Sequence, residues 1–402
     1  MPYNTGIRSA DARYGTMRYD VLIVGGGPGG LHAGRRLAEA GFAVALFEEH
    51  RTIGEPVHCT GILALEAFDE FDLPRDAIVN PLMRAEFYSP SGLQLEYETT
   101  TRDVLVVERQ LFDRGLARQA DAAGVDLRSG ERVADLKIER DGVVARLADG
   151  RHVRGRVAVL ACGANYVLQR RLGLGFPSAY LHSAQLELLA RRPGCVELYF
   201  GHDAAPAGFG WIAPVLRPDG ASARVGVMCR RDALTHFGRM FDRVAARWGL
   251  TRPCVAPRRK LLPLGPIDRT YGDRVVAIGD AAGLVKPTTG GGIYYSLVSA
   301  GVAAGVLADG LRRDDLSAAL LRRYEAGWQD RLAGEIAAQA HLRGLAERLT
   351  DAEIDALFDL AQTDGVMPIV RKTARFNQHR QLILALLRHP PARRILFRTL
   401  VG

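Results

Sequence analysis

The sequence predicts an α/β fold: a Rossmann-like nucleotide-binding domain, an antiparallel β-rich insert and a helical C-terminal region. Three observations carry this prediction. An apolar, strand-like run at 19–24 opens into Gly25-x-Gly27-x-x-Gly30. A second glycine-rich loop, 279–293, follows another apolar run at 274–278. Between the two loops lie short alternating segments with turn signals, and after Gly292 the pattern is helical to the end of the chain.

The first loop has a full context. A helix runs from the glycines to about Ala40 and is closed by Gly41, and a second strand, 42–47, ends on Glu48. The acid stands 18 residues past Gly30. That spacing is the dinucleotide βαβ unit, with pyrophosphate on the helix N-terminus beside Gly29 and the carboxylate on a ribose hydroxyl. The second loop ends its strand on Gly279-Asp280, then runs through glycines to Gly292 and starts an apolar helix at Ile293. One such loop indicates a dinucleotide. The pair indicates FAD, because the ribityl-pyrophosphate needs donors of its own and the isoalloxazine must lie against bare backbone.

The remaining elements follow in order. Residues 82–107 alternate around Pro90-Ser91-Gly92 as hairpins do, and a helix is expected over 112–124. Two hairpin-like strands (133–139, 143–147) and a return strand (157–161) come next. Strands at 195–200, 210–215 and 223–229 with a helix at 232–249 make the second β-rich stretch, and helices are expected at 293–311, 315–345, 351–361 and 366–400. The expected organisation is a leader, 1–16, and a discontinuous FAD domain of 17–81, 105–177 and 263–311. A β-rich substrate domain (82–104 and 178–262) and a helical region (312–402) complete it.

Composition sets limits. At 402 residues the chain exceeds one compact core, and 48% hydrophobic residues suit a globular protein. The apolar stretch 293–308 is interrupted by Ser296, Ser299, Gly301 and Gly305 and reads as a buried helix. The leader lacks a signal peptide's apolar core, so a cytoplasmic location is expected. Five scattered cysteines without a Cys-x-x-Cys indicate neither a disulfide framework nor a zinc site, and no metal is expected. The net charge of +8 is carried mostly by arginine; no nucleic-acid partner is expected from it.

Residues 53–61, Ile-Gly-Glu-Pro-Val-His-Cys59-Thr60-Gly61, resemble the I-G-x-P-V-x-C-(A/G) segment of the geranylgeranyl reductase family, flavoproteins that saturate prenyl chains of lipids. Three further segments are similar to that family's motifs. Residues 107–113 (Val-Glu-Arg109-Gln-Leu-Phe-Asp) match V-D-R-x-x-F-D, and the loop 279–293 fits G-D-A-A-G-x-x-x-P-x-x-G-G-G-I. Residues 206–214 (Pro-Ala-Gly-Phe209-Gly-Trp211-Ile-Ala-Pro214) resemble P-x-G-Y-x-W-x-F-P and are followed by Val225-Gly226. The resemblance spans about 18–310 and is close in motif order to the archaeal digeranylgeranylglycerophospholipid reductases. The chain departs from it at Phe209 (Tyr in the family), Ala213 (Phe) and Thr60-Gly61 (Ala/Gly-Glu), which removes a hydroxyl and a ring from the substrate pocket.

The resemblance implies a fold of the hydroxylase/glutathione-reductase type. It implies FAD contacts from Cys59, Thr60, Arg109 and Val133 besides the two loops, and a substrate wall of Phe200, Phe209, Trp211 and Pro214. It further implies hydride addition to one alkene carbon and protonation of the other in a dry pocket. Cys59 is the expected proton source, since an ordinary thiol, with a pKa of about 8.5, stays protonated near neutral pH. The rival class is an FAD-dependent monooxygenase. Its D-G-x-x-S-x-x-R segment corresponds here to 162–170, where Cys162 and Tyr166 replace the Asp and Ser. No second G-x-G-x-x-G exists for NAD(P)H, so the expected electron donor is transiently docked NAD(P)H or a ferredoxin. The segment 369–402 has eight Lys/Arg and no Asp or Glu, interleaved with leucines. It reads either as a peripheral membrane contact at the inner face of the cell membrane or as a cap on the protein's own core.

Overall fold

The computed structural model describes residues 19–363 and 365–398; the expected leader and the last four residues lie outside them. Parallel pairing joins Tyr19–Val24 to His152–Leu160 on one side and to Val44–Glu48 on the other. Asp126–Ser129 and Val275–Ala277 extend this sheet in parallel, so both glycine loops leave its strands. The strands read as continuous apolar runs because both faces are covered, and Val21, Leu22, Ile23, Leu46 and Val159 have no exposed surface.

The second sheet has seven strands among the described residues. Its order is Arg258–Pro263, Tyr180–Leu189, Gly220–Cys229, Phe209–Arg217, Val196–Tyr199, Arg84–Tyr88 and Gln94–Glu98. The pairing is antiparallel except where Val196–Tyr199 runs parallel to Arg84–Tyr88. That junction joins the two separate stretches of β sequence, which a hairpin pattern does not anticipate. A small third sheet, Ile62–Ala64, Val104–Val107 and Ile78–Pro81, was not foreseen and ties the Cys59 loop to the strand that precedes Arg109.

The helix Ile293–Arg313 is long and apolar enough to cross a bilayer, yet it packs in the core, with Tyr295, Leu297, Val298 and Leu307 buried. The helices Ala318–Ala346 and Asp351–Thr363 follow as expected within a few residues. The helical stretch expected over 366–400 is instead three short helices, Val366–Thr373, Arg380–Arg388 and Pro390–Arg398. Its breaks fall at 374–379 and at His389; the second precedes Pro390-Pro391, and a residue before proline leaves the helical region.

Candidate active site

A cavity of about 1720 Å³ opens between the two large sheets and the C-terminal helices. Its polar end is made by the glycine loops. The helix Pro28–Glu39 starts at Gly27 and the helix Ile293–Arg313 at Gly292, and neither has a side-chain cap. Their free N–H groups therefore remain for an anion. The loops also crowd each other: a Cβ on Gly29 or on Gly279 would overlap Ser296, and one on Gly30 would overlap the Gly25 carbonyl. A Cβ on Gly27 would meet nothing within 4 Å, so this glycine faces open space. Two uncapped helix starts and side-chain-free loops fit the pyrophosphate and ring of FAD.

Glu48 Oε2 accepts the Gly26 N–H at 2.8 Å, and its other oxygen is held by the His50 backbone N–H at 2.9 Å. Asp280 is paired with Lys260 at 2.9 Å, and the carboxylate raises the Lys260 pKa. Tyr166 donates to the Asp280 carbonyl at 2.6 Å and Gln169 to the Ala281 carbonyl at 3.0 Å. The segment that departs from the hydroxylase pattern thus anchors the second loop.

Cys59, Thr60 and Arg109 line the same end of the cavity. Gly61 N–H points at the Cys59 Sγ from 3.3 Å. Arg109 pairs with Asp113 at 2.8 Å; burial works against its charge, but the Asp113 carboxylate outweighs this and its pKa is raised. Burial, reinforced by Lys260, lowers the pKa of His58, whose Nε2 lies 3.0 Å from the Arg258 carbonyl.

The other end is apolar. Phe209 contacts Phe200 and Trp211 with ring centroids 5.9 Å away in each case, and Phe200 meets Phe358 at 6.0 Å. Trp211 lies across from Gly226, where any Cβ would overlap the indole, which accounts for the Val225-Gly226 signature. Leu382, Leu386 and Leu396 of the C-terminal helices turn into this cavity, while Leu384 is exposed.

Not every expected residue faces the cavity. Gly25, Gly30, Glu48 and Gly279 shape the loops from behind, as the overlaps above require. Val133 is buried in the strand Val133–Ile138, so its side chain packs in the core. Pro214 sits buried opposite Ala223 in the sheet and does not join the cavity wall; strand alternation turns it away from the face that Trp211 and Phe209 share.

Sequence reasoning missed Lys286. It is 3% exposed, donates to the Phe376 carbonyl at 2.7 Å and to Asn377 Oδ1 at 3.0 Å, and lies over the Phe376 ring at 4.2 Å. Burial pushes its ammonium down to about 7. Its signal was an unassigned lysine inside the second glycine motif. Among the described residues, no cluster of His, Cys, Asp or Glu is arranged to hold a metal ion.

Comparisons with known proteins match this geometry. Residues 18–179 match the FAD binding domain family, and residues 237–363 match the lycopene cyclase protein family. A digeranylgeranylglycerophospholipid reductase of Methanocaldococcus jannaschii is 30% identical over 84% of this chain and 89% of its own length. The chain belongs to the geranylgeranyl reductase family. Another relative, digeranylgeranylglycerophospholipid reductase 2 of Methanothermobacter thermautotrophicus, is 31% identical over 85% of this chain and 91% of that protein. A crystal structure of a geranylgeranyl bacteriochlorophyll reductase-like protein from Thermoplasma acidophilum superposes with a TM-score of 0.83 at 23% identity. It covers 95% of this chain and 99% of that one, a likeness of fold. This geranylgeranyl reductase family member is an FAD-dependent oxidoreductase, and the reductase reading prevails over the monooxygenase alternative.

Proposed function

We propose that this protein saturates carbon–carbon double bonds of an isoprenoid chain carried by a lipid. The observation that carries the reading is one continuous cavity of about 1720 Å³, polar where the two glycine loops meet and apolar from Phe209 to Leu396. Reduced FAD, when bound, supplies the hydride. The uncapped helix starts at Gly27 and Gly292 would hold its phosphates and ring, and Asp280 and Arg109, which line the same end of the cavity, would add polar contacts. Phe200, Phe209 and Trp211 hold the chain and exclude water, which an isolated alkene requires because it has no carbonyl to stabilise charge. Cys59 Sγ holds the proton for the second carbon.

The same reading includes an electron donor, either NAD(P)H or a ferredoxin, and a cytoplasmic protein held at the inner face of the membrane by its C-terminal helices. Supporting the latter, Arg371, Lys372 and Arg375 are exposed and have no carboxylate partner among the described residues, while Val366, Met367 and Val370 beside them line the cavity. A prenyl chain leaving the bilayer here would pass directly to the apolar end.

Anaerobic dithionite reduction of the purified holoprotein with prenyl lipids, followed by mass spectrometry, tests the function. Products heavier by about 2 Da per reduced bond are expected from two added hydrogens. Reduced protein that leaves every prenyl lipid unchanged ends the proposal. Binding to anionic but not neutral vesicles, lost on truncation at Pro368 with flavin retained, is the outcome expected for the membrane contact.

A further inference from the structure

Arg224 lies in the strand Gly220–Cys229 of the second sheet, and its side chain is 1% exposed. It reaches out of that sheet to the other domain. Nη1 donates to the Thr60 carbonyl at 2.7 Å and to the Val107 carbonyl at 2.9 Å. Nε donates to Glu187 at 2.8 Å, and Nη2 lies 3.6 Å from Glu108 without a hydrogen bond. Arg217 completes the array by bridging Glu187 and Glu108.

The two carbonyls bracket the reactive loop. Thr60 follows Cys59 directly, and Val107 precedes Arg109 by two residues. Val107 N–H is itself bonded to the Gly61 carbonyl at 2.8 Å, so the guanidinium sits at the end of the short pairing that carries both segments. Gly61 makes room for it. At φ +68° this residue favours glycine, and a Cβ there would stand 2.7 Å from Arg224 Nη1.

A buried guanidinium is a poor way to stabilise a sheet, since apolar residues of similar volume serve as well or better. What an apolar residue cannot do is grip two carbonyls across a domain boundary with planar, fixed donors. The same strand continues into Val225-Gly226 beneath Trp211. We infer that Arg224 is a positioning residue, locking the Cys59 loop to the substrate sheet so that the thiol and Arg109 keep a fixed place relative to the bound chain. The inference rests on the reading of Cys59 as the proton source.

The test compares Arg224→Met, Arg224→Lys and Glu187→Gln as holoproteins. The measurements are bound FAD, single-turnover alkene reduction after dithionite, and iodoacetamide alkylation of Cys59 followed at the peptide level. Arg224→Met is expected to keep its FAD while saturating-substrate turnover falls by about a hundredfold, the cost of misplacement near 1 Å, with KM changed much less. Cys59 alkylation should change at least about fivefold, and Arg224→Lys, which can still donate to one carbonyl, should recover part of both losses. Wild-type turnover and alkylation in flavin-bound Arg224→Met overturn the inference. Should that variant fail to fold, Glu187→Gln decides: it loosens the Nε contact and should shift alkylation by about threefold, and an unchanged rate overturns the inference. A wild type that reduces no prenyl lipid counts against the proposed function alone, because the alkylation arm still reads the grip of Arg224.

Discussion

The two ends of the cavity are built from different materials. At the flavin end the wall is backbone: Gly29 and Gly292 line it, and behind it Gly25 and Gly30 each stand where a single Cβ would overlap a backbone carbonyl. Charges there come as pairs, Arg109 with Asp113, as their burial demands, and the half-buried Lys260 with Asp280. At the chain end the wall is side chain: Phe200, Phe209, Phe358, and Val370, Leu382, Leu386 and Leu396 of the three short helices. A backbone surface has no softer part that can give way, whereas apolar side chains repack. The flavin end should therefore be intolerant of one added atom, and the chain end tolerant of several lost.

The largest effect should come from the boundary between the ends. Cys59→Ala is expected to lower alkene reduction by about a thousandfold, within the usual range for a removed proton donor, with flavin content unchanged. Single-turnover rates on dithionite-reduced protein measure it; a wild-type rate would make the thiol a packing group.

Next is the sharpest test of the backbone wall. Gly30→Ala puts a Cβ against the Gly25 carbonyl, which cannot rotate away. FAD affinity should fall by about a hundredfold, about 2.7 kcal/mol, as read by fluorescence titration of the apoprotein. Near-normal affinity would show that the loop yields, and would break the contrast.

Lys286 joins the two ends, running from the second glycine loop to Phe376 and Asn377. Its burial lowers the folded pKa to about 7, from an ordinary lysine value near 10.5. Between those values the unfolded chain holds a proton that the native state does not, so stability contributed through this group rises with pH across that window and is flat below it. Lys286→Met should remove a slope of at most about 1.4 kcal/mol per pH unit from denaturant midpoints measured between about pH 7 and 10. Identical slopes in the two proteins would mean that Lys286 keeps its charge.

The smallest effect belongs to the chain end. Phe209→Leu removes part of a ring that touches Phe200 and Trp211. A change below about tenfold in KM for a prenyl substrate is expected, about 1 kcal/mol of repacking, with flavin affinity unaltered. A loss as large as that of Gly30→Ala would erase the difference between the ends.

The three C-terminal helices show where a sequence pattern stops being informative. Alternating leucines and arginines establish that 369–402 has an apolar side, but periodicity is silent on what that side meets. In the fold Leu382, Leu386 and Leu396 turn into the cavity and only Leu384 of this set is exposed, with Phe397 and Leu400 outside the described side chains. Pro214 makes the same point in a strand. The motif that contains it was legible, while the face it presents depended on pairing with Ala223.

By itself the sequence determined the two glycine loops, the acid after the second strand and the cysteine segment, because each is a local requirement of backbone geometry or charge met within a few tens of residues. The tertiary structure alone decided which groups complete them. Arg224 meets Thr60 across 164 positions, Lys286 meets Asn377 across 91, and Tyr166 meets Asp280 across 114. Hydrogen bonds of that kind leave no periodicity in the chain, since a buried donor must find an acceptor but the acceptor can come from any segment that folding brings within 3 Å.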